Sequence, residues 1–236
     1  MTDQLQILFE DNHCIAVNKP APLLTQAPPG IPSLEIMVKE YLKERYRKQS
    51  RIYLGVPHRL DRPVSGVLLM TRTTKAAQRL TEQFEMRQVT KVYWGIIEGS
   101  IAPETGVCED WLRKVDNEAR VEKVDPGAAG ARLARLQYRG LQLCQGGLLV
   151  EFIPETGRMH QIRIQTALRG WPIRGDALYG AQTSFGPPAT ELRDRIIALH
   201  ARSMTFLHPI RYEPITLTAP LPAAWTDLGI DIDART

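Results

Sequence analysis

The chain of 236 residues carries 43% hydrophobic and 24% charged side chains, an ordinary globular composition that excludes disordered and fibrous architectures. Its 30 Lys and Arg against 26 Asp and Glu give a net charge of +4, a mild lean toward polyanionic partners that decides little alone. Apolar stretches such as Val67-Leu68-Leu69-Met70 and Leu148-Leu149-Val150 fall far short of the roughly 18 residues of a membrane span; the first residues are acidic and polar where a secretory signal would be basic and then apolar, so a cytoplasmic protein with no membrane partner is expected.

Leu5 to Glu10 and Cys14 to Pro20 read as two strands joined by the turn residues Asp11-Asn12-His13, a β-hairpin. Prolines and Gly30 then delay regular structure until Ser33, which suits the cap of a helix whose apolar stripe is Ile36, Met37, Tyr41 and Leu42. Residues 39 to 62 hold eight basic residues against three acidic ones, on the other face of this helix and just beyond it. Such a stretch is equally readable as a solvated face or as a surface for phosphates. His58-Arg59-Leu60-Asp61-Arg62, between Pro57 and Pro63, is loop-like and feeds the buried strand Gly66 to Met70.

Thr73 or Thr74 caps a helix lined by Ala77, Leu80 and Phe84, and a strand follows from Lys91 to Ile97. From Pro103 to Gly140 polar residues dominate, and short strands of an antiparallel meander are expected, with a turn at Asp125-Pro126-Gly127. Leu148 to Ile153 is a strand ended by Pro154. Thr156 or Gly157 then opens a helix through Arg158, His160, Ile162, Arg163 and Leu168, closed by Gly170 and Pro172. Strands at Ala201 to Phe206 and Ile215 to Thr218 precede a tail with Pro220, Pro222 and Trp225. The economical architecture is a single α+β domain over residues 1–236, a mixed, mostly antiparallel sheet with flanking helices.

Cys14, Cys108 and Cys144 are odd in number and widely spaced, and are expected as small buried or half-buried apolar residues rather than disulfide or zinc ligands. Asp61 has Arg59 and Arg62 within two residues, which favours an ionised carboxylate fit to act as nucleophile or base; the plainer reading is an aspartate fixing a turn. Helical spacing puts His160 and Arg163 on adjacent positions of one face, where a guanidinium can clamp a carboxylate or phosphate, or simply be exposed. His58, His160, His200 and His208 lack ligand spacing, so no metal is expected. No phosphate loop or dinucleotide fingerprint occurs, and Ser65 lacks the glycine of a nucleophile elbow.

Together these segments resemble the pseudouridine synthases of the RluA family, from Ile7 to about Pro220. The resemblance rests on Asn18-Lys19-Pro20, on His58-Arg59-Leu60-Asp61-Arg62-Pro63-Val64-Ser65-Gly66-Val67-Leu68-Leu69 and on Lys91-Val92-Tyr93-Trp94. It also rests on Gly157-Arg158-Met159-His160-Gln161-Ile162-Arg163 with Gly170-Trp171-Pro172-Ile173-Arg174-Gly175-Asp176-Ala177-Leu178-Tyr179-Gly180. Leu199-His200-Ala201 and Phe206-Leu207-His208-Pro209 are similar to the family's closing element.

The resemblance implies the pseudouridine synthase fold and an isomerase that turns uridine in RNA into its C-glycoside, with no cofactor and no metal. It implies Asp61 as the essential carboxylate, Arg163 as its charge partner and Tyr93 stacked on the extruded uracil near C5. Arg59 would fill the gap in the RNA stack, and His58, Arg62 and His160 would contact substrate. The expected partner is a stem-loop of ribosomal or transfer RNA, bound by a monomer without a separate amino-terminal RNA-binding domain. Val64, Gln165, Thr71 and Arg72 depart from the family pattern and bear on substrate choice. Two other readings remain: an RNA-binding module that has lost the reaction, and a glycoside hydrolase pairing Asp61 with Glu155 or Asp176.

Overall fold

Apolar runs bounded by turn residues become strands along nearly the whole chain, and the computed structural model describes residues 5–102 and 104–230. Residues 1–4, which carry most of the amino-terminal reading, and Pro103, where the polar stretch was set to begin, lie outside the described residues. In chain order the elements are β1 (Gln6–Glu10), β2 (Cys14–Lys19), α1 (Leu34–Arg45), β3 (Ser65–Thr71), α2 (Thr74–Glu85), β4 (Thr90–Ile97), β5 (Thr105–Lys114), β6 (Val121–Lys123), β7 (Arg132–Cys144), β8 (Gly147–Pro154), α3 (Gln161–Ala167), β9 (Leu199–Leu207) and β10 (Pro214–Thr218). The fold is α+β with mostly antiparallel pairing, as expected. Among the described residues no helix is long and apolar enough to cross a membrane.

The chain divides into two units, one formed by residues up to Lys91 with Ala201–Pro220, the other by Val92–His200 with the residues from Leu221. In the first, the strand order is β1-β2-β3-β9, with β10 on β9. The hairpin turn is held by Asp11, whose Oδ1 accepts from the backbone N–H of His13 at 2.8 Å and Cys14 at 2.7 Å. All seven residues of β3 are buried, which explains its unbroken apolar run. Cys14, Ala16, Val67, Leu69, Leu80, Met204 and Phe206 share one core cluster. Ile15, Val17, Leu68 and Met70, alternating onto the opposite face, are also fully buried.

Ser33 caps α1 and Thr73 caps α2, each accepting a backbone N–H through its side chain. The stripe expected on α1 is corrected: Leu34, Val38 and Leu42, spaced by four, are buried, while Ile36 is exposed. On α2 the buried residues are Ala76, Leu80 and Gln83, with Ala77 and Phe84 half-buried.

The second unit orders its strands β4-β8-β7-β5-β6, every pair antiparallel. The described part of the polar stretch is the antiparallel meander expected, but β5 and β7 are long strands of 10 and 13 residues rather than short ones, and the turn at Asp125 is closed by the Ala128 N–H at 3.1 Å. Along β5, Cys108, Asp110 and Leu112 point inward and Glu109 outward. Leu112, Val121, Ala134 and Ile164 of α3 form a compact cluster.

The helix expected from residue 156 or 157 is shorter, running from Gln161 to Ala167. Gln161 Oε1 takes the Arg158 N–H at 3.0 Å and the Thr156 hydroxyl at 2.8 Å, holding residues 156–160 in a loop. His160 adopts a left-handed φ of 49°, so it precedes the helix and does not share a helical face with Arg163. Gly170, at φ +79°, closes the end as expected.

Candidate active site

Asp61 lies on the loop that enters β3, and the two carbonyls beside it are fixed from the same unit. Thr25 Oγ1 donates to the Leu60 carbonyl at 2.9 Å and accepts the Leu60 N–H at 3.2 Å. The Arg62 carbonyl accepts from Lys19 Nζ at 3.3 Å and from the Leu23 N–H at 3.1 Å. Lys19 also donates to the carbonyls of Pro20 at 3.1 Å and Leu23 at 2.7 Å. Its ammonium is fully buried. Burial is the main force pushing it down to about 7, with Asp61 opposing the shift and Arg62 adding to it. Val64 N–H closes a turn on the Asp61 carbonyl at 3.1 Å. Asp61 itself is half-buried, and the turn it closes uses its backbone carbonyl.

His58 anchors the start of that loop. Its Nε2 accepts the Leu69 N–H at 2.9 Å, in the middle of β3, and its ring stacks on Phe84 at 4.8 Å and 25°. Burial first, and the Lys91 charge second, push the imidazole down to about 3. The ring is therefore neutral, with its hydrogen on Nδ1. Arg59 is exposed and Arg62 half-buried. Gly66 sits at φ +116°, and a Cβ there would lie 2.3 Å from the Ala201 carbonyl oxygen. Only glycine lets β3 come this close to β9.

Of the basic stretch, Lys39 pairs with Glu35 at 2.5 Å and Arg45 with Glu10 at 3.4 Å. Lys43, Arg47, Lys48, Arg51 and Arg59 are exposed. Arg72, one of the departures from the family pattern, is absorbed structurally. It bonds Glu10 at 3.2 Å and covers the Tyr46 ring at 4.6 Å.

In the second unit Tyr93 is half-buried on β4, opposite Phe152 of β8. Arg163 is buried on α3 and forks onto Asp176, Nε to Oδ2 at 2.6 Å and Nη2 to Oδ1 at 2.8 Å. Its guanidinium carbon lies 5.2 Å from the centre of the Tyr179 ring. The Tyr179 oxygen accepts the Val121 N–H at 3.0 Å and lies 2.9 Å from His160 Nδ1. Sequence reasoning missed this use of Asp176, because the partners lie thirteen positions apart, on α3 and in the loop beyond it, and no periodicity links them. Thr25 was missed for the same reason. Gln165 donates to Asp110 at 2.8 Å and to the carbonyls of Cys108 and Ala134 at 3.2 Å, binding α3 to β5 and β7.

The structure also brings together Asp11, Cys14 and His208, whose ligand atoms lie within 4.8 Å of one another. They are poor metal ligands as arranged. His208 Nδ1 accepts the N–H groups of Ile210 at 3.2 Å and Arg211 at 2.9 Å, so Nε2 carries the hydrogen given to Asp11 at 2.8 Å. A metal on Nε2 would force a hydrogen onto Nδ1, against two donors. Burial, then the Asp11 charge, push the Cys14 thiol up to about 12, far from the thiolate a metal requires. Cys108 is also buried and Cys144 half-buried, and all three thiols are free.

The family model for RNA pseudouridylate synthase matches residues 13–168. An uncharacterized RNA pseudouridine synthase of Zymomonas mobilis is 37% identical over 226 residues, covering 95% of this chain and 97% of that protein. The tRNA pseudouridine synthase C of Haemophilus influenzae is 31% identical, covering 95% of this chain and 96% of its own. The ribosomal large subunit pseudouridine synthase D of Xylella fastidiosa is 33% identical over 92% of this chain, which spans 66% of that longer protein. Among solved structures, human RNA pseudouridylate synthase domain containing 4 superposes with a TM-score of 0.73 at 24% identity, covering 92% of this chain and 89% of that one, a likeness of fold.

Proposed function

The chain belongs to the RNA pseudouridylate synthase family, a family of RNA isomerases, and from that premise we propose that it converts uridine to pseudouridine in a stem-loop of ribosomal or transfer RNA. The base–sugar bond at N1 breaks, the uracil turns, and a bond from C5 to the same sugar carbon forms. The C5 proton leaves, N1 gains one, and the mass of the RNA is unchanged. What supports the reading most is that the family match runs through the Asp61 loop, whose neighbouring carbonyls are held by Thr25 and the buried Lys19.

In this proposal Asp61 is the essential carboxylate. Tyr93 stacks on the extruded uracil and lies near C5, and Arg163 is the charge partner that the resemblance implies for Asp61. Extrusion costs a few kcal/mol and stacking on an aromatic ring returns about 1–3 kcal/mol. Arg59 enters the vacated stack, and Arg62, His58 and His160 border the substrate; the exposed Lys43, Arg47, Lys48 and Arg51 meet phosphates. The reaction needs no cofactor or metal, and the enzyme works as a cytoplasmic monomer. Relatives named for ribosomal and for transfer RNA keep both substrates within the proposal.

The hydrolase reading is less well served. Both carboxyl oxygens of Asp176 are taken by Arg163, and those of Glu155 by Arg135 at 2.9 Å and Gln137 at 2.8 Å, which leaves neither placed to deliver a proton. The test is tritium release from transfer and ribosomal RNA labelled at C5 of uridine, with Asp61→Asn as control. Asp61-dependent release is the expected result. Binding without release from either pool would favour a non-catalytic RNA-binding module, and free uracil would favour the hydrolase.

A further inference from the structure

We propose that the turn from Asp176 to Tyr179 is the device that aims Arg163, with Asp176 as a positioning residue for uridine isomerisation; the inference rests on the functional reading above. Arg163 and Asp176 are 5% and 1% exposed. A buried ion pair of this kind adds little stability over well-packed apolar side chains, so stability alone does not account for it. What the pair does fix is direction. A guanidinium is planar and carries five N–H donors. Two go to Asp176, Nε at 2.6 Å and Nη2 at 2.8 Å, and a fork of two parallel bonds sets both the plane and the rotation of the group. The heading of the other three donors follows from it.

The turn is itself braced. Asp176 N–H bonds the Ile173 carbonyl at 3.0 Å, and the Asp176 carbonyl accepts from Tyr179 at 3.0 Å and Ala181 at 3.2 Å. Gly175, at φ +86°, has no room for a Cβ, which would meet Phe185 Cβ at 2.8 Å. Tyr179 covers the guanidinium from one side at 5.2 Å. Its hydroxyl is pinned by Val121 N–H at 3.0 Å and His160 Nδ1 at 2.9 Å. The left-handed backbone of His160, uncommon outside glycine, is what carries its ring to Tyr179.

The experiment measures single-turnover tritium release at saturating RNA, and RNA affinity separately, for wild type, Asp176→Asn, Asp176→Glu, Arg163→Lys and the double variant Arg163→Lys/Asp176→Asn. A misplacement of about 1 Å can cost about 100-fold in rate. Asp176→Asn should lose about that much with RNA affinity held within about threefold, while Asp176→Glu recovers part of the rate. In the Arg163→Lys background, Asp176→Asn should cost little more, since both act through one group. An unimpaired Asp176→Asn, or losses that multiply in the double variant, would overturn the inference while leaving the family reading intact. Should Asp176→Asn not fold, Asp176→Glu decides, since full wild-type rate in that variant also overturns it. No release by wild type on any RNA removes both.

Discussion

Lys19 Nζ donates to the carbonyl of Arg62, the residue after Asp61, from a fully buried position at 3.3 Å. A side chain of β2 thus holds the backbone of a loop 43 residues further along the chain. Burial lowers Lys19 to about 7. The unfolded chain keeps the proton up to the ordinary lysine range, near 10.4. Between these values the folded state binds fewer protons, so this residue's contribution makes stability rise with pH across that window and reach its minimum below it. Urea unfolding of wild type and Lys19→Met from pH 6.5 to 9.5 checks this. The wild-type curve should be steeper by up to one proton, about 1.4 kcal/mol per pH unit, and parallel curves would refute it.

Asp61→Asn should lower turnover by at least on the order of 1,000-fold, while the melting temperature and RNA affinity stay close to wild type. The amide has nearly the size of the carboxylate, and the carbonyls on either side of Asp61 are held by Thr25 and Lys19 in the variant as in wild type. Retained turnover in the folded variant would defeat the assignment.

Tyr93→Phe keeps the ring on β4 and removes only the hydroxyl. RNA binding should persist, and completion of the reaction should slow by about 100-fold if the hydroxyl handles the C5 proton. Single-turnover analysis of the RNA product, separating bond breakage from proton release, measures it. A variant with wild-type rates would remove the hydroxyl from the mechanism.

His58, lowered to about 3 by burial and by Lys91, gives a contribution in the acid range. Below the ordinary histidine value near 6.5 the unfolded chain gains a proton that the folded chain refuses. This residue's stabilisation is therefore complete above that value and is lost as pH falls toward 3. His58→Gln retains an acceptor for the Leu69 N–H and cannot titrate there. Its stability should fall less steeply than wild type between pH 6 and pH 4 in urea titrations, and an unchanged slope would contradict the shift.

Gly66→Ala should destabilise the protein by about 2–4 kcal/mol, combining a left-handed strain of about 1–3 kcal/mol with the Ala201 overlap. Because Gly66 follows the Asp61 loop closely, activity should fall below what the unfolded fraction explains. Calorimetry beside turnover per folded molecule tests both parts, and a neutral substitution would mean that the β3 and β9 backbones separate freely.

Most strands were legible in the sequence because β3 and β8 are apolar runs between clear turn residues, and Ser33 and Thr73 signalled the helix starts. The buried stripe of α1 was legible only at Leu42, because Leu34 and Val38 compete with an equally periodic Ile36, Met37 and Tyr41, and propensity cannot say which phase meets the core. The segment before α3 failed for a different reason. A side chain, Gln161, captures the backbone and hydroxyl groups that a longer helix would have used. Of the residues proposed for the reaction, Asp61, Tyr93 and Arg163 stood out by motif, whereas Thr25, the grip of Lys19 and the pairing of Asp176 depend on contacts between stretches distant in sequence.

The unit that carries Asp61 is discontinuous, closed by Ala201–Pro220 after the whole of Val92–His200. On the ribosome β3 must therefore wait for its neighbour β9 for several seconds at about 5–20 residues per second. Through that interval its backbone is an unpaired edge, with the apolar side chains Val67 to Met70 beside it, the kind of surface that captures other strands. Aggregation during synthesis, more than thermal unfolding of the finished protein, is then where loss of a β9 residue such as Met204 or Phe206 should be felt.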